Sequence, residues 1–116
     1  MNKLFKEQSK TIKIYMTKEV IVDPFDKTTE VIELSPLPLK AIITDIGFNQ
    51  ISWKMPGIVA SEAKEIIIQK KHRDMLEASY KIRIDNTDFE GWKINGKLQL
   101  KEEDMFIRAY IYKKQV

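Results

Sequence analysis

The chain has 116 residues, 43% of them hydrophobic and 32% charged, which excludes a disordered polyelectrolyte and suits one globular domain. Twenty Lys and Arg against seventeen Asp and Glu leave a formal +3, mixed along the chain and too small to demand a polyanionic partner. Without cysteine there is no disulfide, thiolate metal site or cysteine nucleophile, and no stretch nears the ~20 apolar residues of a bilayer span, so the reading is a cytosolic chain without membrane contact.

Residues 1–9 are polar and predict a flexible N-terminal arm; residues 10–116 predict a single β-barrel domain. Thr11-Ile12-Lys13-Ile14-Tyr15-Met16 alternates as a strand, and Val20-Ile21-Val22 continues it or pairs with it before the Asp23-Pro24-Phe25-Asp26 turn. Thr29 to Leu34 is the next strand. Leu39 to Ile46 carries apolar residues on both faces, as a strand does that is buried on both sides or sits where a barrel closes. Gly47 to Ser61 lacks a period and predicts a long loop with a short strand over 50–54, its large apolar side chains Trp53 and Met55 exposed as anchors. β-branched Ile66-Ile67-Ile68 makes Lys64–Lys70 a strand, and His72–Ala78 is the helix candidate.

Tyr80, Ile82 and Ile84 then fall on one face of a strand and Lys81, Arg83 and Asp85 on the other. Asn95-Gly96 between Trp92-Lys93-Ile94 and Lys97–Leu100 predicts a type I′ hairpin, which needs positive φ at both central residues. Met105–Tyr112 is the last strand. The expected fold is all-β: a small closed or partly open β-barrel with one short helix and a long loop. Its expected core is Ile12, Ile14, Leu39, Ile43, Ile66, Ile68, Leu76, Ile82, Ile84, Ile107 and Ile111.

Little in the sequence points to catalysis, and the expectation is no enzyme, cofactor or metal. The single histidine, His72, sits among Lys70, Lys71 and Arg73, whose charge depresses its pKa and makes it a poor ligand. The acids Asp23, Asp26, Glu102, Glu103 and Asp104 lie in turns, and no serine stands in a nucleophile elbow. One constellation remains. On the last strand Phe106, Arg108, Tyr110 and Tyr112 share the face opposite Met105, Ile107, Ala109 and Ile111, and Lys113 and Lys114 follow. Rings interleaved with cations suit stacked bases and phosphates of a single strand. They also suit a face partly covered by a neighbouring subunit or loop, and the unpolarised charge favours protein contact or core over base stacking.

The order of these patterns resembles the small head–tail connector proteins of tailed bacteriophages, of the head-completion or stopper type. The likeness spans Thr11 to Tyr112. It is carried by Thr11-Ile12-Lys13-Ile14-Tyr15, Ala41-Ile42-Ile43, the Pro56-Gly57 loop, Lys64–Lys71 running into Asp74-Met75-Leu76, Lys81–Asp85, Phe89-Glu90-Gly91 and Arg108-Ala109-Tyr110-Ile111. The family's glycine-x-x-tyrosine is replaced by Asn86-Thr87-Asp88-Phe89.

The resemblance implies a non-enzymatic structural protein of the virion neck, made in the bacterial host cytoplasm. It would form a homo-oligomeric ring, a hexamer or dodecamer, between portal or adaptor and tail-side neck proteins. The ring would line or close the channel that holds genomic DNA. Trp53, Lys54, Met55, Phe106, Arg108, Tyr110 and Tyr112 are the expected interface and loop residues, with any DNA contact non-specific and made by lysines such as Lys54. An oligonucleotide-binding barrel using Trp92, Arg108, Tyr110 and Tyr112 is the alternative.

Overall fold

The computed structural model describes residues 3–58 and 60–114; Met1 and Asn2 of the expected arm, Val59 of the expected loop, and Gln115 and Val116 lie outside the described residues. Within the arm Lys3–Gln8 form helix α1, and its Phe5 is buried with its ring centroid 5.2 Å from that of Phe106. The strands are β1 (Lys10–Asp23), β2 (Thr28–Glu33), β3 (Leu37–Asp45), β4 (Ala60–Gln69), β5 (Ser79–Ile84), β6 (Thr87–Gly91), β7 (Lys93–Ile94), β8 (Lys97–Leu98), β9 (Leu100–Glu102) and β10 (Phe106–Lys114). Between β3 and β4 lies helix α2 (Ile51–Lys54), and before β5 lies helix α3 (Arg73–Glu77).

The protein is mainly β, and six strands close into a barrel in the order β1, β3, β4, β10, β6, β5 and back to β1. Closure rests on β1, which pairs antiparallel with β3 on one side (Ile12 opposite Leu39) and with β5 on the other (Ile14 opposite Ile82). A closed barrel leaves no open edge among these six strands. Strand alternation fills its interior with Ile12, Ile14, Leu39, Ala41, Ile66, Ile68, Ile82, Ile84, Phe89, Ile107, Ala109 and Ile111, and Leu76 from α3 plugs one end. Every residue of the expected core is buried except Ile43, which is half-buried against that core.

Three expectations about faces and elements are corrected. Tyr80 does not face inward with Ile82 and Ile84: the register shifts where Met16 pairs with Ser79, so Ser79 is buried and Tyr80 lies outside. The buried Ser79 hydroxyl is satisfied, donating to the Leu76 carbonyl at 2.6 Å. Met105 is exposed because β10 begins only at Phe106.

The third correction concerns the long segment after β3. It contains no strand over 50–54; Phe48–Gln50 form a 3-10 turn and Ile51–Lys54 form α2. Ile51 and Met55 stand four residues apart, and the Met55 N–H donates to the Ile51 carbonyl at 2.8 Å. One helical turn therefore stacks the two side chains on the same face, and both are buried with Ile46 and Ala63 in a second cluster outside the barrel.

Candidate functional site

The barrel uses only the first half of β1. Beyond Met16 the strand leaves the barrel and pairs with β2 alone, from Thr17 opposite Glu33 to Asp23 opposite Thr28. This two-stranded ribbon projects from the body and contributes to dimensions of 51 × 35 × 27 Å. Every residue of β2 is exposed, as is β1 from Thr17 to Val22.

Cross-strand partners share a face, so the register sorts the ribbon's side chains. One face carries Lys18, Val20, Glu30 and Ile32; the other carries Glu19, Ile21, Thr29 and Val31. Each face thus has a diagonal apolar pair, Val20 with Ile32 and Ile21 with Val31, flanked by charges. All four count among the exposed large hydrophobic residues. Val22 lies at an irregularity in the pairing between Ile21 and Asp23 and is exposed as well.

The tip is a built turn. The Asp23 carboxylate accepts from the Phe25 N–H at 2.9 Å and from the Asp26 N–H at 3.4 Å. These backbone bonds hold the Asp23 carboxyl below the usual carboxylate range. Lys27 closes the turn with φ of 55°. The result presents Phe25 to solvent, 94% exposed.

The root of the ribbon is tied to the barrel. The Tyr80 hydroxyl donates to Glu33 at 2.7 Å, and that bond raises the Tyr80 pKa. The Tyr15 and Tyr80 rings meet edge-on at 6.5 Å, and the Leu34 N–H donates to the Met16 carbonyl. Lys81 Nζ and Arg83 Cζ lie 4.3 and 5.0 Å from the Tyr15 ring centroid. Arg83 in turn donates to both carboxylate oxygens of Asp88, at 2.7 and 3.3 Å, and holds that carboxyl below its usual value. This aromatic and ionic patch braces β1 against β5 where the ribbon departs.

The residues singled out from sequence are placed differently. Trp53 is exposed (85%), but Met55 is fully buried and is no surface anchor. Lys54 Nζ lies 5.6 Å from the Tyr110 ring centroid. Phe106, Arg108, Tyr110 and Tyr112 do share the outer face of β10, and all four are half-buried. Phe106 is covered by Phe5, while Tyr110, Tyr112 and Trp92 pack against the cluster of Ile46, Ile51, Met55 and Ala63. Arg108 sits between Glu103 (3.3 Å) and Glu65 (3.6 Å), and its Nε is buried without a hydrogen bond. The rings that would stack bases are thus engaged by the chain's own segments.

Burial, and then the Lys71 cation, lower the His72 pKa. Among the described residues no group of three or more His, Asp or Glu is placed to hold a metal, and no helix is long and apolar enough to cross a membrane. Sequence reasoning placed the two strands and the turn of the ribbon but not its projection from the barrel. Its signal was present: apolar residues on both faces of two strands flanking Asp23-Pro24-Phe25-Asp26. No family model matches the chain, and no curated protein matches it either.

Proposed function

We propose that the chain is a non-enzymatic structural subunit that assembles through its projecting ribbon into a homo-oligomeric ring. The resemblance to head-completion proteins supports a site for that ring in a tailed-phage neck, between the portal side of the capsid and the tail, around genomic DNA. The observation that carries the reading is the ribbon. A two-stranded ribbon with no sheet or helix on either face is marginal in water. This one nevertheless displays Val20, Ile21, Val22, Phe25, Val31 and Ile32. Exposed apolar surface of that extent marks an association site. The barrel supplies a rigid base, so the ribbon meets a partner at a fixed angle.

Single-stranded nucleic-acid binding has less support, because Trp92, Tyr110 and Tyr112 lie against the segment that follows β3. The test is native mass spectrometry and negative-stain imaging of the purified protein, alone and mixed with a portal ring. Closed rings, or a uniform layer on the portal, are expected. A strictly monomeric protein that ignores the portal sinks the reading. Tight single-stranded DNA binding lost on Tyr110→Ala and Tyr112→Ala would replace it.

A further inference from the structure

We infer that the ribbon tip of one copy docks, Phe25 first, into the groove between α1 and β3 at the barrel end of the next copy. The inference rests on the ring reading above and specifies its contact. The groove has a volume of about 500 Å³, and its lining includes Phe5, Ser9, Pro38, Leu39, Lys40 and Gln69, with His72 at its edge. Its floor is apolar: Phe5 and Leu39 are buried, and Pro38 continues them toward the surface. A phenylalanine side chain with part of Pro24 fits that space.

Charge favours the same pairing. Asp23 and Asp26 put two carboxylates beside Phe25 against the single cation Lys27. Of the groove's lining residues Lys40 is the cation, and exposed Lys71 adjoins it. Carboxylates brought to a cationic rim gain from Coulomb attraction and fix orientation.

Placement makes the contact directional. The groove borders the start of β1, where Thr11 pairs with Lys40 and Ile12 with Leu39. The tip follows the end of the same strand. At about 3.3 Å per residue, a strand of this length separates the two by up to about 40 Å. A knob at one end and a hole at the other cannot satisfy each other within one chain. Between copies they make a heterologous, head-to-tail contact, which closes into a ring when the rotation per step allows. The ribbon is tied to the barrel at its root, through Tyr80 and Glu33, and its tip residue Phe25 is exposed.

The chain has no cysteine, so thiol pairs can be introduced cleanly. Two single variants, Phe25→Cys and Gln69→Cys, are mixed and oxidised, alone and on the portal ring. A mixed Phe25→Cys/Gln69→Cys product is expected to dominate over either self-product, and a chain carrying both changes should link into rings. Phe25→Ser should weaken assembly by about tenfold or more, as loss of a buried aromatic does. It should leave the melting temperature of the barrel unchanged, since Phe25 touches no core. Rings that form without the mixed product overturn the docking and leave the ring reading standing. A dominant Phe25→Cys self-product also overturns it, in favour of tip-to-tip pairing. A protein monomeric in every fraction overturns both.

Discussion

Truncating Met55 to alanine separates the two views of the segment after β3. Read as an exposed anchor, Met55 could be lost without effect on the barrel. In the structure it is 0% exposed and completes a cluster with Ile46, Ile51 and Ala63. Methionine-to-alanine changes in a core cost about 2–5 kcal/mol. This cluster is small, and half-buried Ile58, Trp92, Tyr110 and Tyr112 border it and can close in. The expected loss is therefore in the lower part of that range, about 2–3 kcal/mol. For a domain of this size a kilocalorie moves the melting point by about 4 °C, giving a fall of about 8–12 °C. The control is Trp53→Ala two residues away, where the side chain is exposed and the change should stay within about 0.5 kcal/mol. Thermal unfolding by circular dichroism reads both. In a Trp53→Phe background, Trp92 emission should also shift to the red as its cover loosens. Equal shifts for the two alanine variants, or a Met55→Ala loss below about 0.5 kcal/mol, would refute the packing described here.

Further expectations follow from the barrel, the turns and one ion pair. Ile82→Ala and Ile107→Ala remove side chains that are 0% and 1% exposed and should each cost about 2–5 kcal/mol by urea unfolding; losses under half a kilocalorie at both would mean the strand faces are inverted. Asn95 and Gly96 have φ of 52° and 78°, so Gly96→Ala should destabilise by about 1 kcal/mol and by more than Asn95→Ala; a neutral Gly96→Ala denies the type I′ turn. Lys64 donates to Asp45, and that bond, against some desolvation, raises its pKa above 10.5. Its contribution is complete below the unfolded value and fades as pH climbs through the higher folded one. Lys64→Gln should therefore flatten the loss of stability above about pH 10.5 relative to the parent, and parallel curves would count against the pair. Replacing residues 18–32 by a two-residue Asn-Gly turn should leave the barrel's unfolding midpoint unchanged while abolishing assembly; a collapsed barrel would show that the ribbon is part of the core.

Much of the barrel was legible because its information is local. Period-two alternation sets the inward residues of β4, β5 and β10, and it named Ile66, Ile68, Ile82, Ile84, Ile107 and Ile111 correctly. Positive-φ turn chemistry marked Asn95-Gly96. It also left its mark at Asp85-Asn86, with φ of 49° and 66°, where β5 turns into β6. What failed depends on contacts distant in sequence. Tyr80 obeys the alternation on paper, but the irregular pairing of β1 with β5 moves Ser79 inward and Tyr80 outward. Ile51 and Met55 have helical spacing, yet a single turn is too short for a pattern to stand out from a loop.

The ribbon failed for a different reason, and that reason bears on function. Alternation in Thr17–Asp23 and Thr28–Glu33 tells which residues share a face, but not whether anything covers it. Inside the barrel each strand face that is apolar finds a neighbour, and the outer face of β10 finds Phe5 at one end and the Met55 cluster at the other. Val20, Ile21, Val31 and Ile32 remain exposed among the described residues, although their side chains are as apolar as those of the core. Glu30 and Glu33 on the edge strand β2 discourage indiscriminate strand addition. Charges that guard the edge while the apolar pairs remain on the faces restrict the ways this surface can be covered. A partner that meets the ribbon face-on, led by Phe25 at the tip, satisfies both conditions. The groove beside Lys40 and His72 is where the proposed contact would seat that lead residue.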